Sequence, residues 1–164
     1  MDILSHGLWG GIIWGRKNRR SFWLSFLFGI SPDLFSFGIF TFARVLQMEG
    51  GGFGKPELTS IPNYVHTLYD ITHSYIVFSL VFLLVWAILK RPLWEMTAWA
   101  FHIFLDMFTH SERFFPTPIL WPFSDTSIDG VPWSVPEIFF TNLFFLAVIY
   151  GVFWYRKWKH KSVA

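Results

Sequence analysis

Three ionisable residues follow one another at four-residue intervals in an apolar stretch of the chain. They are His102, Asp106 and His110, and the residues between them are almost all hydrophobic. Residues four apart on an α-helix share a face, because each step of four turns the side chain by only about 40°. We predict that His102 and Asp106 bind the same metal ion, and that His110 serves a neighbouring ion or a substrate.

Three more His and Asp residues are expected at a similar depth. His6 lies near the start of the first apolar segment, Asp33 follows Pro32 inside the second, and His73 precedes the third. Ionisable groups inside a bilayer cost roughly 2.5 to 3.5 kcal/mol each on insertion scales, so they need partners and usually mark function. The predicted metal ligands are therefore His6, Asp33, His73, His102, Asp106 and His110.

Some of these residues also have a simpler, structural interpretation. Asp33 could cap the second half of a broken helix, and His73 could open a helix that Thr72 caps. The pair His102 and Asp106 is harder to explain in this way. Two ionisable groups one turn apart in apolar surroundings satisfy each other only partly.

The composition restricts the kind of site and favours a membrane. Of the 164 residues, 53% are hydrophobic, 22% aromatic and only 15% charged. One globular core of this size cannot bury so much apolar surface, so part of it must face lipid. The absence of cysteine excludes disulfides, thiol nucleophiles and iron–sulfur clusters. A net charge of +2 does not indicate nucleic acid as a partner.

The ligand types favour a particular group of metals. Imidazole and carboxylate without thiolate suit zinc, and manganese or ferrous iron would also fit. Such an ion polarises a phosphoryl or carbonyl oxygen and lowers the pKa of bound water to about 7. The candidate ligands are enough for one or two ions.

Five apolar segments are candidates for membrane helices. Four of them are long enough or nearly so, and the first is short for a span. We predict an all-α polytopic membrane protein in one domain, residues 1–164, with four to five membrane helices around an intramembrane polar site. The segments are Ile3–Gly15, Ser21–Leu46, Ser74–Leu89, Leu93–Thr109 and Glu137–Tyr155.

The distribution of Lys and Arg predicts the orientation of these segments. Ten of the 13 basic residues fall on one side of the predicted topology, and cytoplasmic loops carry such an excess. This places the C-terminus in the cytoplasm, and the N-terminus, the two long loops and the metal site toward the extracytoplasmic side. These loops are Gln47–Thr72 and Ser111–Pro136. Within the first, Met48–Pro62 is predicted to be a flexible, Gly-rich connector, and the second is predicted to be an ordered cap rich in Pro and aromatic residues.

Five short motifs follow one another in a fixed order along the chain. They are Ser5-His6-Gly7, Ser31-Pro32-Asp33-Leu34, Thr72-His73-Ser74, His102-x-x-x-Asp106 and Thr117-Pro118-Ile119-Leu120-Trp121-Pro122. This order resembles the YdjM-like family of membrane-bound, metal-dependent hydrolases, typified by a LexA-regulated inner-membrane protein. The resemblance implies a prokaryotic inner-membrane hydrolase whose metal ligands are the His and Asp residues of these motifs. More remotely, the ligand order is similar to that of zinc-dependent phospholipase C, which implies a phosphoester substrate.

The chain departs from the pattern of that family at two places. Phe35 stands where members often have a second acidic residue, and the stretch from His66 to Asp70 lacks an arginine. A full two-ion site would then need His110 or Asp70 as the missing ligand.

The predicted function is a membrane-embedded hydrolase that acts on a phospholipid or another amphipathic phosphoester. Asp106 and His110 are the predicted catalytic residues, the latter as a ligand of a second ion or as a general acid. Ser74, Ser111 and Arg113 could contact phosphate, and the guanidinium group of Arg113 suits it best.

Two other functions remain open. A metal-ion or proton transporter could use the same His and Asp residues as a relay. The candidates lie at one depth and none continues toward the cytoplasmic face, which favours the hydrolase. The other alternative is a non-catalytic membrane scaffold with a structural metal. No residue pattern in the sequence indicates an oligomeric state.

Overall fold

A computed structural model describes residues 1–46 and 58–161, which are helical apart from turns and loops. About 73% of the chain is helix and the described ranges contain no β-strand, so the all-α prediction is confirmed. Most of the predicted Gly-rich connector lies outside the described residues. The helices are α1 (Ile3–Trp14), α2 (Arg19–Asp33), α3 (Ile39–Leu46), α4 (Asn63–Thr72), α5 (Tyr75–Leu89), α6 (Thr97–Thr109) and α7 (Pro136–Lys161).

The number of membrane spans is smaller than predicted. In the described ranges, Arg19–Arg44 and Pro136–Lys159 are long and apolar enough to cross a membrane. Helices α4 and α5 add a third span if they act as one, and they are bent by 60° at their junction. The prediction of four to five membrane helices is therefore wrong.

The lengths of α1 and α6 explain this error. They contain 12 and 13 residues, which is about 18 to 20 Å at 1.5 Å per residue and too short for a core of about 30 Å. Helix α6 is short because Trp94–Met96 forms a 3₁₀ turn at its start. Helix α4 was missed because His66, Thr67 and Asp70 interrupt its apolar pattern, so the sequence suggested a loop up to Thr72.

Small residues allow α1 and α2 to pack closely. A Cβ atom added at Gly10 would lie 2.6 Å from the carbonyl oxygen of Ser25, and one added at Gly29 would lie 2.6 Å from that of His6. Membrane helices associate through such small-residue contacts, because lipid removes the hydrophobic driving force. The close approach brings His6 on α1 to the level of Asp33, one turn beyond Gly29.

The span that begins with α2 changes its helical geometry after Asp33. Pro32 has no N–H for the carbonyl of Phe28, and the hydroxyl of Ser31 donates to that carbonyl instead, at 3.0 Å. The chain then forms a π-helical segment, Leu34–Gly38, before α3. Asp33 makes no side-chain capping hydrogen bond to this segment, so the capping interpretation of Asp33 is wrong.

The junction of α4 and α5 also differs from the simpler interpretation. His73 is the residue that follows α4, and Ser74 caps α5 by accepting hydrogen bonds from the N–H groups of Ile76 and Val77. Thr72 is therefore not the cap of α5. His73 lies at the bend itself.

Helix α7 is attached to α1 through Asn142, which is buried. The indole N–H of Trp9 donates to Oδ1 of Asn142 at 2.8 Å, and Nδ2 of Asn142 donates to the hydroxyl of Ser5 at 2.7 Å. Farther along α7, the Tyr150 hydroxyl donates to the carbonyl of Leu8 at 2.9 Å.

We expect Asn142→Ala to lower the thermal unfolding midpoint of the protein in detergent. Both hydrogen bonds would be lost between helices, where such bonds contribute about 1 kcal/mol. Leu143→Ala is the matched control, because Leu143 is the next residue on α7 and is 40% exposed. Equal midpoints for the two variants in a thermal scan would contradict this account of the α7 attachment.

Candidate metal centre

Four buried side chains from separate parts of the fold converge on one point. Asp33 comes from α2, His73 from the α4–α5 bend, and His102 and Asp106 from one face of α6. One ligand atom from each residue can be chosen so that all four lie within 4.8 Å of one another. The spacing of His102 and Asp106 thus has the consequence expected from the helix, and two other elements complete the group.

Backbone carbonyls fix the orientation of both imidazole rings. Nδ1 of His102 lies 2.7 Å from the carbonyl oxygen of Gly29, and Nδ1 of His73 lies 3.0 Å from that of Tyr69. A carbonyl oxygen can only accept, so Nδ1 carries the proton in each ring. In the neutral rings, both Nε2 atoms therefore present a lone pair to the centre of the cluster.

The two Nε2 atoms face each other at a separation of 3.0 Å. Two lone pairs cannot form a hydrogen bond, so this arrangement needs a cation between them. That cation is either a metal ion or a proton that makes one ring an imidazolium. Oδ2 of Asp106 adds to this requirement, since it is buried and has no hydrogen-bond partner.

The separations of the four ligand atoms are short enough for one metal ion among them. Nε2 of His73 lies 3.6 Å from Oδ1 of Asp33 and 3.5 Å from Oδ2 of Asp106, and the corresponding distances for His102 are 3.7 and 3.2 Å. The two Nε2 atoms are 3.0 Å apart, and ligands about 2.0 to 2.2 Å from one ion lie about 2.8 to 3.6 Å apart, depending on the coordination angle. The residues present could therefore hold a metal ion.

His6 and His110 contact the other oxygen of Asp106. Oδ1 lies 3.0 Å from Nε2 of His6 and 3.6 Å from Nε2 of His110, and it also contacts the amino group of Met1. The ring of His6 stacks on that of His102, with centroids 3.6 Å apart. These two predicted ligands thus lie beside the four-residue group, on the far side of the shared carboxylate.

The comparison with protein families is decisive for the membership of this chain. The sequence model of the family described as YdjM inner membrane protein matches residues 1–164. The chain belongs to the YdjM inner membrane protein family. Searches of the curated proteins and of the solved structures found no match. The resemblance drawn from the ordered motifs is confirmed, and membership together with the apolar helices establishes a membrane protein.

The predicted phosphate-binding residues of this YdjM family member are in different environments. The hydroxyl of Ser74 donates to the carbonyl of Trp121 at 2.6 Å in addition to capping α5, so it holds the Ser111–Pro136 segment against that helix. Arg113 is exposed in the turn that follows His110, and Ser111 is partly exposed there. Of these residues, Arg113 has the most accessible side chain.

Tyr69 supports the cluster and was not predicted from the sequence. Its ring stacks on His73 with centroids 3.7 Å apart, and its hydroxyl lies 3.0 Å from Nδ1 of His110 and 3.1 Å from Oγ1 of Thr117. Two features of the sequence could have indicated Tyr69. It precedes His73 by one helical turn, and its partner Thr117 belongs to the last of the five motifs.

The segment after α6 is ordered against the cluster, as predicted for a cap. Nδ1 of His110 lies 2.9 Å from the carbonyl oxygen of Phe115, and the N–H of Gly130 donates to the carbonyl of His110 at 2.8 Å. The first contact again leaves Nε2 of His110 directed toward Asp106. The ring of His66 stacks on that of Phe115, and His66 lies outside the four-residue group.

Proposed function

We propose that this protein is a membrane-embedded, divalent-metal-dependent hydrolase and that zinc is its metal. Manganese and iron are the alternatives. The observation that supports the proposal best is the pair of facing Nε2 lone pairs on His73 and His102, with carboxylate oxygens beside them. Four acceptors this close repel one another unless a cation lies among them. Imidazole and carboxylate together are typical ligands of zinc in hydrolytic enzymes.

The residues around the cluster would hold such an ion and orient its ligands. When bound, a divalent ion polarises a phosphoryl oxygen and lowers the pKa of water to about 7. The carbonyls of Gly29 and Tyr69 keep both imidazole rings in the ligating orientation, a form of support that metal sites commonly have. Asp33 and Asp106 would balance the charge of the ion inside the apolar bundle.

We also propose a second ion on the other side of Asp106. Its Oδ1 faces His6 and His110 while its Oδ2 faces the four-residue group, so one carboxylate could bridge two ions. Two-metal sites of this kind are common in phosphatases and nucleases. The alternative role of His110, with no ion on its Nε2, is that of a general acid toward the leaving group, since its side chain is 10% exposed whereas that of Asp106 is fully buried.

The substrate we propose is a phospholipid or another amphipathic phosphoester. The face of α6 that points away from the cluster is apolar, since Phe104 and Phe108 are 46% and 48% exposed, so this helix borders lipid. A substrate with an apolar part would be dissolved in that lipid. Arg113, in the turn after His110, carries a guanidinium group that suits phosphate. By the positive-inside rule, we place the basic helix ends in the cytoplasm and the metal centre toward the opposite side.

The proposed activity can be tested with purified protein in mild detergent micelles. The protein is stripped with a chelator, reloaded with zinc or manganese, and assayed against a chromogenic phosphodiester, a phosphomonoester and phosphatidylglycerol in mixed micelles. We expect hydrolysis only in the reloaded protein, and at least a 100-fold loss in Asp106→Asn. His66→Gln is the control that changes a His outside the cluster.

The transporter is the second candidate, because a proton between the two Nε2 atoms would also satisfy their geometry. Reconstituted vesicles with a pH-sensitive or zinc-sensitive dye inside would detect it. No hydrolysis of any of these substrates by metal-loaded protein, together with ion flux that Asp106→Asn abolishes, would replace the hydrolase with the transporter.

A further inference from the structure

A large groove lies at the end of the molecule opposite the metal centre. It runs between α1, the start of α2 and the second half of α7, and its volume is about 990 Å³. This volume is at the upper end of the range of about 300 to 1,000 Å³ that small-molecule sites have. The walls are apolar or aromatic and include Trp9, Ile13, Phe22, Val148, Ile149 and Phe153.

Basic side chains surround one end of this groove. None of the described residues that line it is acidic. A groove lined by basic and no acidic side chains has a positive potential, which favours an anion there. The basic residues are Arg16, Lys17, Arg19, Arg156 and Lys157.

The attachment of α7 leaves the groove open. In the described part of the chain, α7 forms hydrogen bonds with α1 through Asn142 and Tyr150. Only 11% of the most apolar stretch of α7 is buried inside the protein. Beyond Tyr150, the helix therefore borders the groove with apolar side chains that need a nonpolar occupant.

We propose that the groove binds one anionic phospholipid of the surrounding bilayer. The phosphate group lies among the basic side chains, and the acyl chains lie between α7 and the α1–α2 pair. Apolar walls with a basic rim match the two parts of such a lipid, and basic pockets between membrane helices bind anionic headgroups. This lipid is a resident ligand that fixes α7, separate from any substrate at the metal centre.

Binding is tested with the full-length protein in nanodiscs of phosphatidylcholine that contain a small fraction of phosphatidylglycerol. Retained lipid is counted by native mass spectrometry. We expect about one phosphatidylglycerol per chain in the wild type, enriched at least tenfold over its bulk fraction. In Arg19→Gln/Arg156→Gln the enrichment should fall at least fivefold, because each Lys or Arg near an anionic lipid contributes a preference of about fivefold.

Two further variants separate the groove from general surface charge. Lys90→Gln/Arg91→Gln removes the same charge outside the groove and should retain the lipid. Ile149→Trp narrows the groove without changing its charge and should lower lipid retention, while a normal thermal midpoint would show that the fold is intact. Equal loss in both charge variants, no enrichment over phosphatidylcholine, or a disulfide between two copies of a Val148→Cys variant would each overturn the proposal.

Discussion

Purified His102→Ala protein is expected to contain at least one zinc per chain less than the wild type, in which we expect one or two. The substitution removes one of four ligand atoms and leaves the carbonyl of Gly29 without the N–H that it accepts at 2.7 Å. Loss of supporting partners alone costs 10- to 100-fold in metal affinity, so loss of a ligand should cost more than 100-fold. Elemental analysis after purification without chelator measures this directly.

Two companion variants make the metal result interpretable. His66→Ala removes a His that stacks on Phe115 outside the cluster, so its zinc content should match that of the wild type. Asp106→Asn keeps the shape of the side chain but removes its charge, and should lose zinc even if His102→Ala folds poorly. A well-folded wild type without metal would contradict the prediction and leave the proton as the cation between His73 and His102.

Gly29→Ala is expected to weaken both the fold and the metal centre. The added Cβ would lie 2.6 Å from the carbonyl oxygen of His6, and a backbone atom cannot rotate away as a side chain can. The α1 and α2 helices must then separate, at a cost of roughly 1 to 3 kcal/mol. The carbonyl of Gly29 would move away from His102, so zinc affinity should fall about 10- to 100-fold.

Gly151→Ala on α7 is the matched control for this substitution. A Cβ atom added at Gly151 has no neighbour within 4 Å, and alanine favours helix over glycine by up to about 1 kcal/mol. Its thermal midpoint should be unchanged or slightly higher, and its zinc titration should follow that of the wild type. A Gly29→Ala protein with wild-type values in both measurements would show that the α1–α2 contact can relax.

The sequence was informative about cluster residues that share one helix. The interval between His102 and Asp106 required only the 3.6-residue repeat, and both residues lie in the cluster. Asp33 and His73 were found because buried charge needs a partner. The sequence could not reveal the tautomers of the imidazole rings, because these depend on carbonyls of Gly29 and Tyr69 that other helices bring to them.

Helix lengths were less predictable than the identity of the cluster. Hydropathy measures how far an apolar stretch extends, whereas a span depends on where the hydrogen-bonded helix begins. The 3₁₀ turn Trp94–Met96 takes three residues of the predicted segment out of the α-helix, which begins at Thr97. Conversely, the polar residues His66, Thr67 and Asp70 on α4 interrupt its apolar pattern, so the sequence did not reveal the helix that carries Tyr69 to the cluster.

The short helices α1 and α6 have a consequence for the bilayer itself. Each falls about 10 Å short of a hydrocarbon core of about 30 Å, and both reach the metal centre, through His6 on α1 and Asp106 on α6. Lipid beside such helices responds to hydrophobic mismatch by thinning. The headgroup layer would therefore dip toward Asp106 on this side of the protein. A phosphate at the lipid surface would then need only a short displacement to reach a buried ion, without leaving its leaflet.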